Sequence, residues 1–437
     1  MSGIRVGEEI VVSVEKVNHH GEGVGRYSGM VVFIPLAAPG DTVRAAVVEE
    51  RKKFLRARLA EVIAPGETRC QPRCPFQSTC GGCSVQHMNY RHQLEYKTAL
   101  VRESLARTGG LTGVNVLPAI GMAVPWHYRN KVRLHVARRE GRVLLGLYSP
   151  ASHTLGFTLG DGSFCRLVDE DLNELAVYTG RVLNQHRDAL FAGADGLIVY
   201  ITLRKAAGTG ETMLVLGTRR DRWPGLDKLV ADLAGSGRIT TIVQQPASSG
   251  AEEETGRERV LYGAGTITDI LDGLRFRLSA ASFYQVNPAQ TAVLYGKVIE
   301  YAALSGREQV VDAYCGAGTI ALFLARRAGH VTGMEVSPAA VADARKNAAL
   351  NGIANATFME GAVEKVLPRR LGRDLRPDVL VLDPPRRGCH RRVLEVLAEH
   401  PVPRLVYVSC DPATLARDLG ILAGNGYRVL EVQPVDM

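Results

Sequence analysis

The chain has 437 residues, 46% hydrophobic and 22% charged, which excludes a disordered chain or one small core and predicts two to three globular domains. Lys and Arg number 53 against 45 Asp and Glu, a net charge of +8 that suits a polyanionic partner without requiring one. No signal-peptide pattern opens the chain and no apolar run has membrane-spanning length, so a cytoplasmic protein without membrane contact is expected; eight cysteines are too few for a disulfide scaffold and point to metal binding or chemistry.

Residues 1–65 carry four short strand-like runs, Glu9–Val14, Met30–Pro35, Asp41–Val48 and Ala57–Ile63. Turn chemistry separates them at His20–Arg26 and Ala38–Asp41, which predicts a small OB-like β-barrel. The basic run Glu50–Arg56, with Phe54 inside it, reads equally as a phosphate-tracking edge or a solvated hairpin face. Cys74, Cys80 and Cys83 then follow in a Cys-x5-Cys-x2-Cys spacing, with Gly81 and Gly82 letting the backbone curl between the last two. Three sulfurs at that spacing are a metal signal. A fourth ligand is needed, and both the distant Cys165 and the local Cys70 qualify; thiolate ligation by itself suits zinc and iron-sulfur alike.

A helix is expected from about Gln86 to Arg107, with His87 and His92 as surface polar groups. Trp126–Leu134 interleaves aromatic rings with cations, the composition of a base-stacking surface and equally of a half-buried strand. Strands such as Leu197–Leu203 and Thr212–Leu216 continue to about Asp272, so 66–272 reads as an α+β central domain, with a mobile acidic loop at Ser248–Thr255.

From 273 to 437 strands and helices alternate, the pattern of a doubly wound α/β sheet. Gln309–Ala325 is strand, Gly-rich turn and helix, and His330–Glu335 is the next strand. Gly316 and Gly318 let a cofactor approach the backbone, and Glu335 is placed to accept from two ribose hydroxyls. The turn lacks the third glycine of the dinucleotide fingerprint, which favours S-adenosylmethionine over NAD; Cys315 within it reads as packing. Pro377–Gly388 reads as a buried strand ending in Asp383-Pro-Pro-Arg386 at the ligand end of the sheet, and Ser282–Asn287 sets amides and aromatic rings at a helix entrance. Finally Leu405–Val408 runs into Ser409-Cys410-Asp411-Pro412, a strand-to-helix turn. A thiol there feels the positive end of a helix, so Cys410 reads as a nucleophile or, alternatively, as a small buried hydrophobe.

The N-terminal barrel resembles a TRAM domain, and the order of these motifs is similar to the RNA 5-methyluridine (uracil-5-) methyltransferases along essentially the whole chain. That resemblance implies a Rossmann-like methyltransferase domain in 273–437. Gln285, Tyr314, Thr319, Glu335 and Asp383 would line its donor site, and Cys410 would be the nucleophile. It implies Cys74, Cys80, Cys83 and Cys165 as [4Fe-4S] ligands, leaving Cys70 spare, with the cluster structural or RNA-positioning rather than catalytic. The tRNA branch lacks the cluster cysteines, so the expected substrate is a uridine of 23S ribosomal RNA and the expected state a monomer without a protein partner. A tRNA enzyme and a non-catalytic RNA-binding relative are the alternatives. Thr319 stands where some members have Asn, and Ala362 where a polar residue is common. The glutamate that takes the C5 proton in the family is expected in a segment beyond Pro434–Met437.

Overall fold

The computed structural model describes residues 4–150, 152–160, 162–191, 196–247 and 258–437; the acidic stretch Ser248–Thr255 lies outside them. The chain forms two compact units. One comprises Met1–Leu100, Pro118–Gly121 and Leu145–Arg166, the other Val101–Leu117, Met122–Leu144 and Leu167–Met437. Among the described residues no helix is long and apolar enough to cross a membrane.

In the first unit Glu9–Val17, Gly23–Tyr27, Met30–Ile34, Thr42–Glu50 and Phe54–Ala64 close into a barrel, with the fifth strand between the third and fourth. Alternation does the sorting: Ile10, Val12 and Val14 point inward with Ile34, Val43 and Leu55. Gly25 is needed where the first two strands press together, since a Cβ there would lie 2.4 Å from the Ser13 carbonyl oxygen. Downstream, the helix expected from Gln86 begins later, at Tyr90, because the Asn89 side chain caps it by accepting from His92 N–H at 3.1 Å. His87 is not a surface group. It is 1% exposed, its Nδ1 lies 3.0 Å from the Gln77 amide, and burial pushes its pKa down to about 4, so the ring is neutral and packed.

Two large sheets run through the second unit, beside the antiparallel hairpin of Thr266–Leu271 with Leu274–Ser279. Lys131–Arg139 pairs antiparallel with Ile198–Lys205, which pairs with Thr212–Thr218, followed by Thr241–Pro246 in parallel and Arg259–Tyr262 at the edge. The stretch around Trp126–Leu134 thus enters a half-buried strand, with Val132 and Leu134 inside and the Arg133 guanidinium 4.1 Å from the Tyr200 ring centre. The other sheet is wholly parallel, in the order Ala356–Glu360, His330–Glu335, Gln309–Ala313, Val379–Leu382, Arg404–Tyr407. Its strand Val379–Leu382 is buried at every position, as a central parallel strand must be. Helices Pro288–Ala302, Pro338–Leu350 and Pro412–Gly424 each start with proline behind a capping side chain, from Asn287, Ser337 and Asp411 respectively. Phe276, Ile320, Phe323, Val331 and Val381 share the core of this fold, each burial contributing about 2 kcal/mol. A short parallel pair joins Asn115–Val116 to Glu431–Val432.

Sheet order decides where a ligand can sit. The first strand, Gln309–Ala313, has its sequence successor on one side and Val379–Leu382 on the other, so the connections leave in opposite directions between those two. A crevice opens at their carboxyl ends.

Candidate active site

Two turns border that crevice. After Ala313 the chain passes through Tyr314 at φ 69°, Gly316 at φ 55° and Gly318 at φ 82° before the helix Thr319–Ala325. A left-handed Tyr314 costs on the order of 1 kcal/mol and is held by its surroundings. A Cβ on Gly316 would meet nothing within 4 Å, so this edge of backbone faces open space, whereas a Cβ on Gly318 would lie 3.0 Å from that of Ala344. Glu335 crosses to the turn: its Oε2 accepts from Gly316 N–H at 3.2 Å and its Oε1 from Ser337 N–H at 2.7 Å. An open backbone edge beside a fixed carboxylate fits an adenosyl ribose. Thr319 Oγ1 takes a 3.2 Å hydrogen bond from the Tyr295 hydroxyl and so faces the interior as well as the turn. Ala362 gives the helix Val363–Arg370 no side-chain cap.

Asp383 opens the second turn, and its N–H donates to the Ala313 carbonyl at 3.3 Å, which ties the two strand ends across the crevice. Burial pushes its pKa up to about 7. Beneath lies an acid that sequence reasoning passed over. Asp312 is fully buried with neither carboxyl oxygen in a well-formed hydrogen bond; burial, then the neighbouring charge of Asp383, raises its pKa well above the carboxylate range. The signal was present as one charged residue in the otherwise apolar end of Gln309–Ala313.

Gln285 sits in a loop held from below by the antiparallel sheet. Asn130 donates through its backbone to Val286 O at 2.9 Å and through its side chain to Gln285 O at 3.4 Å. Arg204, 3% exposed, donates to the carbonyls of Ser279 at 3.1 Å and Ser282 at 2.8 Å. Nothing in the strand-like run around Arg204 marks it in advance. Phe283, beside Gln285, is 76% exposed.

Cys410 is exposed, unlike the buried Cys315 and Cys389, which removes the packing alternative. Its turn abuts that of Asp383, because Val408 N–H donates to Leu382 O at 2.8 Å. Asp411 Oδ1 accepts from the N–H groups of Ala413 at 2.9 Å and Thr414 at 2.8 Å, so the helix start is capped and Cys410 stands just before it.

The other cysteines lie in the first unit. Cys80 N–H donates to Phe76 O at 2.7 Å and Gly81 N–H to Tyr148 O at 3.0 Å, so the loop is wound and laid against the strand end. Gly82 N–H reaches Cys80 Sγ at 3.4 Å and the Gln86 amide reaches Cys83 Sγ at 3.1 Å. Burial, then the neighbouring sulfurs of Cys165, Cys80 and Cys74, pushes the Cys83 thiol up to about 11. The Cys165 sulfur is thus near enough to Cys80 and Cys83 for its charge to act on theirs. Cys70 stands apart, its thiol against Gln86 O at 3.4 Å and answering to Arg69 rather than to the other sulfurs. Thiols are the donor chemistry of a thiolate-bound centre, but among the described residues no three His, Cys, Asp or Glu side chains are placed to hold a metal ion.

Comparison with known proteins agrees with this arrangement. The tRNA (uracil-5-)-methyltransferase family profile matches residues 269–433, and the TRAM domain profile matches residues 4–60. A protein of Halalkalibacterium halodurans, described as an uncharacterized RNA methyltransferase, is 40% identical over 98% of this chain and 93% of its own. One of Listeria monocytogenes with the same description is 40% identical over 99% of this chain and 95% of its own. Among solved structures, the Pyrococcus abyssi tRNA (uracil-54, C5)-methyltransferase in complex with S-adenosyl-L-homocysteine is similar with a TM-score of 0.76. Its sequence identity is 25%, covering 98% of this chain and 96% of that one. The chain, a TRAM barrel joined to a Rossmann-like catalytic fold, belongs to the S-adenosylmethionine-dependent RNA uracil-5-methyltransferase family.

Proposed function

We propose that the protein methylates C5 of a uridine in 23S ribosomal RNA with Cys410 as nucleophile. The observation that carries this reading is the exposed Cys410 thiol on a strand end that is hydrogen-bonded to the strand end of Asp383. Uracil C5 is too weakly nucleophilic to take a methyl group unaided. The Cys410 thiolate adds to C6 of an extruded uridine, moving the C5–C6 π electrons into an enolate and making C5 nucleophilic. S-adenosylmethionine supplies the electrophilic methyl group. Removal of the C5 proton then lets Cys410 leave by β-elimination, which restores the ring. Gln285, Tyr314, Gly316, Gly318, Thr319, Glu335 and Asp383 hold the donor, the carboxylates favouring a cation over its neutral product. The ribosomal substrate is supported by the four cysteines Cys74, Cys80, Cys83 and Cys165. Transfer RNA is the competing substrate, because a solved enzyme of similar fold is a tRNA (uracil-54, C5)-methyltransferase.

The test uses 23S RNA and tRNA transcripts carrying 5-fluorouridine, in which no C5 proton can leave. Incubation with labelled donor should yield a denaturant-stable, methylated protein–RNA adduct with the ribosomal transcript. Capture of tRNA alone would move the substrate, and capture of neither would remove the function.

Asp383 gives the donor step a pH dependence. A carboxyl with pKa about 7 is ionised only above that value, and a cationic donor binds the ionised form. Donor affinity should therefore climb by about tenfold per pH unit up to roughly pH 7 and then level off. Calorimetric titration at several pH values checks this, and Asp383→Asn should flatten the profile; an unchanged slope in that variant would release Asp383 from the role.

We further propose that Cys74, Cys80, Cys83 and Cys165 hold a [4Fe-4S] cluster that fixes the loop between them. Protein purified without oxygen should contain about four iron and four acid-labile sulfide per chain. Zinc in place of iron would decide for the other thiolate metal, and removal of the centre should unfold the loop while leaving donor binding intact.

A further inference from the structure

The loop that follows Asp383 folds back onto the helix Pro412–Gly424, and one buried side chain of that helix receives it. Asp418 is 0% exposed. Its Oδ2 accepts from Cys389 N–H at 2.8 Å and from the Tyr407 hydroxyl at 2.6 Å, while its Oδ1 accepts from Arg417 Nε at 2.8 Å. Arg417 donates onward to the Arg387 carbonyl at 2.9 Å, and Thr414 Oγ1 to the Arg386 carbonyl at 3.2 Å. Between them Gly388, at φ 78°, lies so close that a Cβ would stand 2.4 Å from the Arg417 guanidinium and 2.6 Å from Asp418 Oδ2.

These contacts join two strand ends. Cys389 belongs to the loop after Asp383, and Tyr407 is the last residue of the strand Arg404–Tyr407, which leads to Cys410. Two donors from different turns converge on a single carboxylate oxygen, so moving either turn breaks a charge-assisted hydrogen bond inside a dry environment. Arg417 neutralises the charge and is itself held by the loop, so the pair is built in rather than incidental.

We propose that Asp418 is a positioning residue for methyl transfer, locking the turn that carries Cys410 to the loop that follows Asp383 so that thiol and methyl donor reach the same uracil. This rests on Cys410 being the nucleophile. Asp418 itself touches neither reactant. Its carboxylate is required because an amide in its place must turn its NH2 toward either Arg417 or the Cys389 and Tyr407 donors, losing at least one side of the junction.

The experiment measures adduct formation on 5-fluorouridine RNA together with donor affinity by calorimetry, for wild type, Cys410→Ala, Asp418→Asn and Tyr407→Phe. A misplacement of about 1 Å costs on the order of a hundredfold in rate, so Asp418→Asn should form adduct about a hundredfold more slowly. Its donor affinity should fall by far less than its adduct rate, because the Gly316 turn and Glu335 lie outside this junction. Tyr407→Phe conserves volume and removes one of the two bonds on Oδ2, so it should fall between the two. Adduct formation by Asp418→Asn at the wild-type rate overturns the proposal. So does a loss of rate matched by an equal loss of donor affinity and of melting temperature, which marks a purely structural residue. If wild type itself forms no adduct, the nucleophile reading fails and this one falls with it; a normal wild type and an inert Cys410→Ala show that any failure belongs to Asp418 alone.

Discussion

Cys410→Ala is expected to abolish methyl transfer, by a factor on the order of 10⁴ or more, while donor affinity stays within about threefold. The size follows from the chemistry. Without a nucleophile at C6 the uracil ring keeps its C5–C6 double bond conjugated to the carbonyl, and no electron pair is available at C5 for the donor methyl. Positioning alone cannot replace that activation, so this loss exceeds any expected from the donor side chains. Donor affinity survives because the glycine turn and Glu335 belong to other strand ends. Cys410→Ser should be nearly as inert, since a hydroxyl ionises too weakly to attack. Rates of methyl incorporation into RNA, adduct on denaturing gels and calorimetric donor binding check all three statements. Methylation retained by the Ala variant would sink the assignment.

The largest effect on stability is expected in the first unit, at Asp41→Ala. Asp41 is 0% exposed and accepts from Ala38 N–H at 2.7 Å, Gly66 N–H at 2.9 Å, and Arg69 Nε and Nη2 at 2.9 and 2.7 Å. Arg69 also reaches the Leu36 carbonyl at 2.7 Å. One carboxylate thus fastens the turn before the fourth barrel strand to the chain that leaves the barrel. Burial alone would raise its pKa, but Arg69 and the two backbone donors outweigh burial and hold it below the usual carboxylate value. Truncation strands the Arg69 cation and two N–H groups together, which costs about 3–5 kcal/mol. Because the folded pKa is depressed, this stabilisation is fully present above the unfolded value near 4 and fades as pH falls through the folded value. Urea unfolding of the barrel-bearing unit at pH 7 and at about pH 3 measures both. A variant within about 0.5 kcal/mol of wild type at pH 7 would remove Asp41 from this role.

What the sequence makes legible here is what has a local cause. Asp411-Pro412 and Asn287-Pro288 announce helix starts because cap and proline act within one turn. The Gly316 turn, Glu335 and Asp383 are legible because strand ends of a parallel sheet are marked by an apolar run that stops. His87 was misplaced, since its burial depends on Gln77 and on packing that no periodicity encodes. Asp312, Arg204 and Asp418 stayed hidden for the same reason. Each is a polar residue on a core-facing position, and its partners are far away in sequence or, for Asp312, absent as well-formed hydrogen bonds. Spacing nominates both Cys70 and Cys165, and it holds nothing that ranks a local thiol against a distant one.

The pairing of Asn115–Val116 with Glu431–Val432 bears on how such a molecule comes into being on the ribosome. The two strands lie 316 residues apart, a separation set by the Asn115 side chain and Glu431, and Gln290 is bonded to the carbonyl of Asp436 at 2.7 Å. Asn115 and Val116 must wait, unpaired, until Glu431 and Val432 have emerged. The barrel, whose strand pairings all fall within Glu9–Ala64, can form meanwhile. The catalytic fold is therefore completed last and slowly, with a long stretch of apolar chain exposed in the interval. Any demand for chaperones in that interval would fall on the second unit rather than on the first.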